Sequence, residues 1–70
     1  MKWSRESATR YLEIWASLKS QLGGGKPISD LEAARRLIKR DMPTLRQDKQ
    51  RGKARQLAQN VAYFRKVVKA

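Results

Sequence analysis

The sequence predicts an all-α fold, a small domain of three or four helices. Apolar side chains recur at intervals of three and four residues in three segments of the chain. Each segment follows a serine or threonine of the kind that caps helices, and none of the chain has a strand signal. At 70 residues the chain has room for one domain only, residues 1–70. We expect helices at about 4–22, 29–41 and 44–69.

The first predicted helix begins after Ser4 and turns one apolar face toward the core. Trp3 and Trp15 are expected to be core residues, because tryptophan is a large apolar anchor in a small domain. The glycine run 23–25 ends the helix, with Gly23 in the left-handed conformation that helix ends prefer. Ile14 lies at the edge of the apolar arc. The arc itself consists of Ala8, Tyr11, Leu12, Trp15, Leu18 and Leu22.

The second predicted helix opens with Ser29 and Glu32, which match the capping-box pattern S-x-x-E. It should end near Met42, because Pro43 disfavours helical geometry in the residue before it. Its apolar face comprises Leu31, Ala34, Leu37 and Ile38.

The third predicted helix begins at Thr44, which forms a second capping box with Gln47. Gly52 costs about 1 kcal/mol relative to alanine inside a helix, so it could divide this segment in two. We favour one continuous or slightly bent helix. Tyr63 and Val67 lie off the main apolar arc, where they could form a lesser core edge, a dimer seam or a contact with a partner. The arc consists of Ala54, Leu57, Ala58, Val61, Phe64 and Val68.

The composition argues against an enzyme, a metal site and a cofactor. Cysteine and histidine are both absent, which removes thiolate ligands, the commonest neutral metal ligand and the usual general base. The six acidic residues are scattered along the chain. No apolar run approaches the length needed to span a membrane, so we expect a soluble cytoplasmic protein.

Positive charge is concentrated in the second half of the chain. Residues 1–34 carry five basic and four acidic groups, a balance of +1. Residues 35–70 carry twelve basic and two acidic groups, a balance of +10. Such an excess causes self-repulsion in the compact state, which a phosphate backbone relieves. The charge distribution therefore favours a nucleic-acid partner, DNA over RNA, and a transcriptional regulator or DNA-architectural protein.

The second and third helices, joined by a short turn, could form a helix-turn-helix-like arrangement. Arginine, lysine and glutamine are the side chains that contact phosphates and base edges. We expect the largest contributions from Lys39, Arg40, Arg46, Arg51 and Arg55. The full predicted set is Arg35, Arg36, Lys39, Arg40, Arg46, Gln47, Lys49, Gln50, Arg51, Lys53, Arg55, Lys66 and Lys69.

Four alternatives stay open at the level of sequence. The basic half could be a solvated surface, although such surfaces usually alternate charge signs at i, i+4. It could instead dock an acidic protein partner, as a small interaction module or inhibitor. The arginine-rich segment 46–60 could enter a folded RNA, or the last helix could lie on an anionic membrane surface. A homodimer is compatible with each, since a domain of this size is marginally stable alone.

Overall fold

The structure, a computed structural model, describes residues 3–70 and contains three helices. Helix α1 spans Arg5–Leu22, α2 spans Asp30–Asp41 and α3 spans Gln47–Lys69. No strand occurs within residues 3–70. The predicted all-α class is confirmed.

The start of α1 follows the sequence signal, since the Ser4 hydroxyl accepts a hydrogen bond from the backbone N–H of Ser7 at 3.1 Å. Its end differs from the prediction. Gly24 and Gly25 have positive φ angles of 61° and 84°, whereas Gly23 keeps a right-handed conformation at φ −86°. The left-handed stop is therefore one residue later than predicted.

The glycine run supplies hydrogen-bond donors to the last carbonyl groups of α1, as in a Schellman motif. The N–H of Gly25 donates to Ser20 O and that of Gly24 donates to Gln21 O, each at 3.1 Å. Gly23 is constrained for a different reason, because a Cβ there would collide with the carbonyl oxygen of Lys26. The chain thus turns tightly enough to bring α2 back beside α1.

Helix α2 is capped by Ser29, whose hydroxyl accepts from the Glu32 N–H at 3.0 Å. The Glu32 carboxylate pairs with Arg36 at 3.0 Å. The buried face is also rotated from the predicted one. Ala33 and Ala34 are fully buried while Leu31 is 40% exposed, so Leu31 was wrongly assigned to the core. Small side chains let α2 pack closely on α3, and Leu31 falls beyond that contact.

Helix α3 begins at Gln47, so the predicted capping box at Thr44 is wrong. The chain makes a turn after α2, in which the N–H of Leu45 donates to Met42 O at 3.2 Å. The turn delays helix formation by three residues, and Arg46 becomes an N-cap without a side-chain hydrogen bond. Gly52 lies inside the continuous helix, as we favoured.

The core joins all three helices but is small. Its larger buried members are Trp15, Ile38, Val61 and Phe64, and the rest are alanines. Trp3 is 46% exposed, although its ring packs edge-on against Phe64 at a centroid distance of 4.6 Å. Trp15 is thus in the core as predicted, whereas Trp3 only covers its edge.

The three helices form a flat slab in which α3 packs against both α1 and α2, while these two contact each other little. The molecule measures 36 × 29 × 15 Å. Its radius of gyration is 12.7 Å, whereas a compact chain of this length would have about 11 Å. A flat arrangement leaves many apolar side chains half-buried, and it exposes the grooves between neighbouring helices.

Candidate functional site

The groove between α2 and the start of α3 brings together five of the predicted contact residues. It has a cavity volume of about 250 Å³. Two of its cations come from successive turns of α2, and a third comes from the second turn of α3. The lining consists of Arg35, Lys39, Gln47, Gln50 and Arg51. We call this surface the cationic groove.

The turn between α2 and α3 makes this convergence possible. Residues at i and i+4 lie on the same face of a helix, so Arg35 and Lys39 point along one side of α2. The turn reverses the chain within residues 42–46, and the first turns of α3 therefore lie beside the last turns of α2. Gln47 and Arg51, also four residues apart, then face the two cations of α2.

The three cations of the groove have no acidic neighbour to offset them. Within residues 3–70, none of Arg35, Lys39 and Arg51 has a carboxylate oxygen within 4 Å, although five ion pairs form elsewhere. The positive end of the α3 dipole lies in the same place and adds to the potential. The groove is therefore a concave surface of one charge sign, which concentrates anions.

Gln50 is held by the turn instead of pointing freely into the groove. Its side-chain amide nitrogen donates to Leu45 O at 3.0 Å and to Met42 O at 3.2 Å. These bonds occupy both amide protons and tie the turn to α3. Gln47, by contrast, is exposed at the rim. Of the two glutamines predicted as contacts, the structure leaves only Gln47 with a free side-chain amide.

Three predicted cations make contacts inside the protein. Arg36 pairs with Glu32 and donates to Leu22 O at 2.8 Å, which ties α2 to the end of α1. Arg40 pairs with Asp41 at 2.9 Å, and Arg46 has Asp48 at 3.9 Å. These three cations are partly or wholly neutralised, so they contribute less to the external potential than the cations of the groove.

The remaining predicted cations are exposed on α3 but lie outside the groove. At 100° per residue, Arg55 continues the stripe that Arg51 begins, whereas Lys49 and Lys53 point to the other side of the helix. Lys66 and Lys69 lie on the last turns of α3, about 22 and about 27 Å along the helix from Arg51 at 1.5 Å per residue. The structure thus divides the thirteen predicted residues into five that line the groove, three cations that have acidic partners and five exposed cations elsewhere on α3.

A second polar cluster, centred on Asp30, was missed by reasoning from the sequence. The Asp30 carboxylate accepts hydrogen bonds from Trp15 Nε1 and from Lys19 Nζ, each at 3.0 Å. Both guanidinium nitrogens of Arg65 also donate to it. The sequence signals only the position of Asp30 in the first turn of α2, because Arg65 is 35 residues away.

The Asp30 cluster ties the three helices together electrostatically. The hydrogen bonds from Arg65, above all, hold the pKa of Asp30 well below its usual range, against the opposing effect of its partial burial. Asp30 in turn raises the pKa of Arg65. Since α1, α2 and α3 each supply a member, this cluster fixes the relative positions of the helices that form the cationic groove.

Comparisons with protein-family models, curated proteins and solved structures found no significant match to this chain. None of the helices within residues 3–70 combines the length and the apolar character that crossing a membrane requires. The same residues contain no group of three or more acidic side chains arranged to hold a metal ion.

Proposed function

We propose that the protein binds nucleic acid, DNA in preference to RNA, through phosphate contacts made in and around the cationic groove. The observation that carries this proposal is the convergence of Arg35, Lys39 and Arg51 without an acidic neighbour among the described residues. Three such cations in one concavity repel one another, and an anion placed between them removes that repulsion. A phosphate backbone supplies several such anions in a row.

The surroundings of the groove support a polyanion over a single anion. Arg55 extends the cationic surface along α3, and the half of the chain from residue 35 onward carries a balance of +10. A single small anion would need far less charge than this. A row of phosphates would engage the groove and the adjoining stripe together, and binding would release their condensed counterions.

The finer form of the proposal is a helix-turn-helix-like contact with duplex DNA, as in a transcriptional regulator or an architectural protein. In such a contact the start of the second helix faces base edges while the first helix meets the backbone. Gln47 and Arg51 would then be the base-facing side chains, since glutamine and arginine pair with adenine and guanine edges. Arg35 and Lys39 would contact phosphates.

The proposal is tested by fluorescence anisotropy on a random DNA duplex, an RNA hairpin and single-stranded DNA, each across a salt series. The logarithm of the affinity for duplex should fall linearly with the logarithm of salt concentration. Replacing Lys39 with glutamine should weaken binding to all duplex sequences and reduce the salt slope by about one. Lys26→Gln is the matched control, because Lys26 is an exposed lysine in the loop between α1 and α2.

Three results would count against the proposal. Equal effects of Lys39→Gln and Lys26→Gln would mean that net charge matters and the groove does not. Tighter binding to the hairpin would assign the groove to RNA. Absence of binding to all three probes at low salt would instead favour an acidic protein partner.

A further inference from the structure

Helix α1 carries an apolar face that the rest of the molecule does not cover. Ile14 at its centre is 64% exposed, the most exposed of the large apolar side chains among the described residues. Two shallow hollows adjoin along this face and share Tyr11 and Ile14. The first is completed by Trp15, Leu18, Leu37 and Leu57, and the second by Trp3, Ser7 and Arg10. We call this surface the Ile14 face.

The flat packing of the helices leaves the Ile14 face open. Helices α1 and α2 both pack on α3 but make few contacts with each other. A gap lined by apolar side chains therefore remains between α1 and α2. Leu37 from α2 and Leu57 from α3 are only half-buried and form the floor of the first hollow. An aliphatic side chain from outside would fill this hollow and bury apolar surface.

The charges beside the Ile14 face are opposite in sign and unpaired. In a chain with seventeen basic residues, Glu13 has no cation within 4 Å among residues 3–70, and Arg10 has no carboxylate. Glu6 on the first turn of α1 likewise has no cation within 4 Å among these residues, whereas Asp30 and the acidic residues after it all form ion pairs. Arg10 and Glu13 are one helical turn apart, just beside Ile14 on the surface of α1.

We propose that a second copy of this chain covers the Ile14 face, with the two α1 helices packed antiparallel about a two-fold axis. In such an interface each contact occurs twice. Arg10 of each subunit lies against Glu13 of the partner subunit, and in this register Ile14 of each enters the second hollow of the other, between Ser7 and Tyr11. The antiparallel arrangement places each arginine opposite a glutamate, so the charges on α1 favour it.

The charge distribution of the whole chain also favours a second copy at this face. Residues 1–34 have a balance of +1, whereas residues 35–70 have a balance of +10. Two copies meeting through their basic halves would repel each other strongly. Pairing through α1 keeps those halves apart and leaves both cationic grooves exposed. The dimer is independent of the proposed function, because it uses none of the groove residues.

The size of the face sets the expected strength of the dimer. Within α1 the face extends from Ser7 to Leu18, about 17 Å at 1.5 Å per residue, and Trp3 extends it beyond the start of the helix. One helix pair of this length lies at the low end of stable interfaces. We therefore expect a reversible dimer with a dissociation constant in the micromolar range.

Sedimentation velocity over a concentration series tests the proposal. The unaltered chain should shift from monomer to dimer as its concentration passes through the micromolar range. Ile14→Glu should raise the dissociation constant at least tenfold, because it places a charge in the hollow of each partner. Ala16→Glu is the matched control, since Ala16 is exposed on the opposite side of α1 and gains the same charge.

A charge-exchange experiment distinguishes this interface from non-specific association. Arg10→Glu and Glu13→Arg should each weaken self-association, because each places like charges opposite one another. An equimolar mixture of the two variants should form a heterodimer about as strong as the original homodimer. Circular dichroism checks that both variants remain helical. A chain that stays monomeric at several hundred micromolar, or a mixture that does not associate, would overturn the proposal.

Discussion

At the scale of single residues, Asp30 determines how the helices are joined. Its carboxylate is 22% exposed and accepts hydrogen bonds from α1 and α3 while it opens α2. Substituting alanine removes the acceptor and leaves Lys19 and Arg65 facing each other. We expect Asp30→Ala to lower the free energy of unfolding by about 2–3 kcal/mol, as breaking a hydrogen-bonded charged network does. Urea denaturation followed by circular dichroism measures this. Asp48→Ala, which removes an exposed partner at 3.9 Å, should cost less than about 1 kcal/mol.

Because the pKa of Asp30 is depressed in the folded protein, the contribution of Asp30 to stability should depend on pH. A carboxyl group whose pKa is lowered by folding contributes stability above its unfolded pKa, which is about 3.9. That contribution is lost as the pH falls below this value. The unaltered protein should therefore lose stability between about pH 5 and pH 2, whereas Asp30→Asn should lose less over this range. Parallel pH profiles of the two proteins would contradict the role assigned to Asp30.

At the scale of helices, local signals in the sequence predicted the three helices but not all of their exact ends. Ser4 and Ser29 cap α1 and α2 as expected, because a cap needs only residues that are neighbours in the chain. Thr44 failed as a cap because the turn after α2 is fixed by Gln50, which reaches back to two carbonyl groups of the turn. A contact of this kind depends on where α3 lies, which a sequence pattern does not specify. For the same reason, a local sequence pattern could not predict the partner of Arg65, which is on another helix.

Gly52 gives a prediction at this scale, because it lies in the interior of α3, where an added Cβ would meet no other part of the chain within 4 Å. Its conformation is helical, and alanine adopts this conformation with less entropy to lose. Gly52→Ala should therefore stabilise the protein by about 1 kcal/mol. It should leave duplex affinity unchanged, since Gly52 does not line the cationic groove. Thermal unfolding and anisotropy measure the two effects, and a loss of affinity would show that the partner approaches the backbone of α3 there.

At the scale of the whole molecule, the flat shape was not predictable from the sequence. The helical periodicity identified most of the buried residues, such as Ala8, Trp15, Val61 and Phe64. It does not encode the angles between helices, so it gave no sign that α1 and α2 would leave the Ile14 face open. The sequence likewise predicted a contact set of thirteen residues, eleven of them basic, without showing which of them would converge. Convergence depends on the turn that lays α3 beside α2, and only the folded chain contains that information.

The cationic groove should lower the stability of the whole molecule when nothing is bound. Arg35 and Lys39 form a like-charge pair at i, i+4, which destabilises a helix by about 0.2–0.5 kcal/mol, and Arg51 lines the same groove. Arg35→Gln should therefore raise the melting temperature at low salt while it weakens duplex binding. The gain should shrink near 1 M salt, where the Debye length falls to about 3 Å. Lys26→Gln, which also removes one positive charge, serves as the control in the same thermal scans. An equal rise in melting temperature for both variants would reflect net charge alone. A rise confined to Arg35→Gln would show that the cations of the groove are held together against their mutual repulsion.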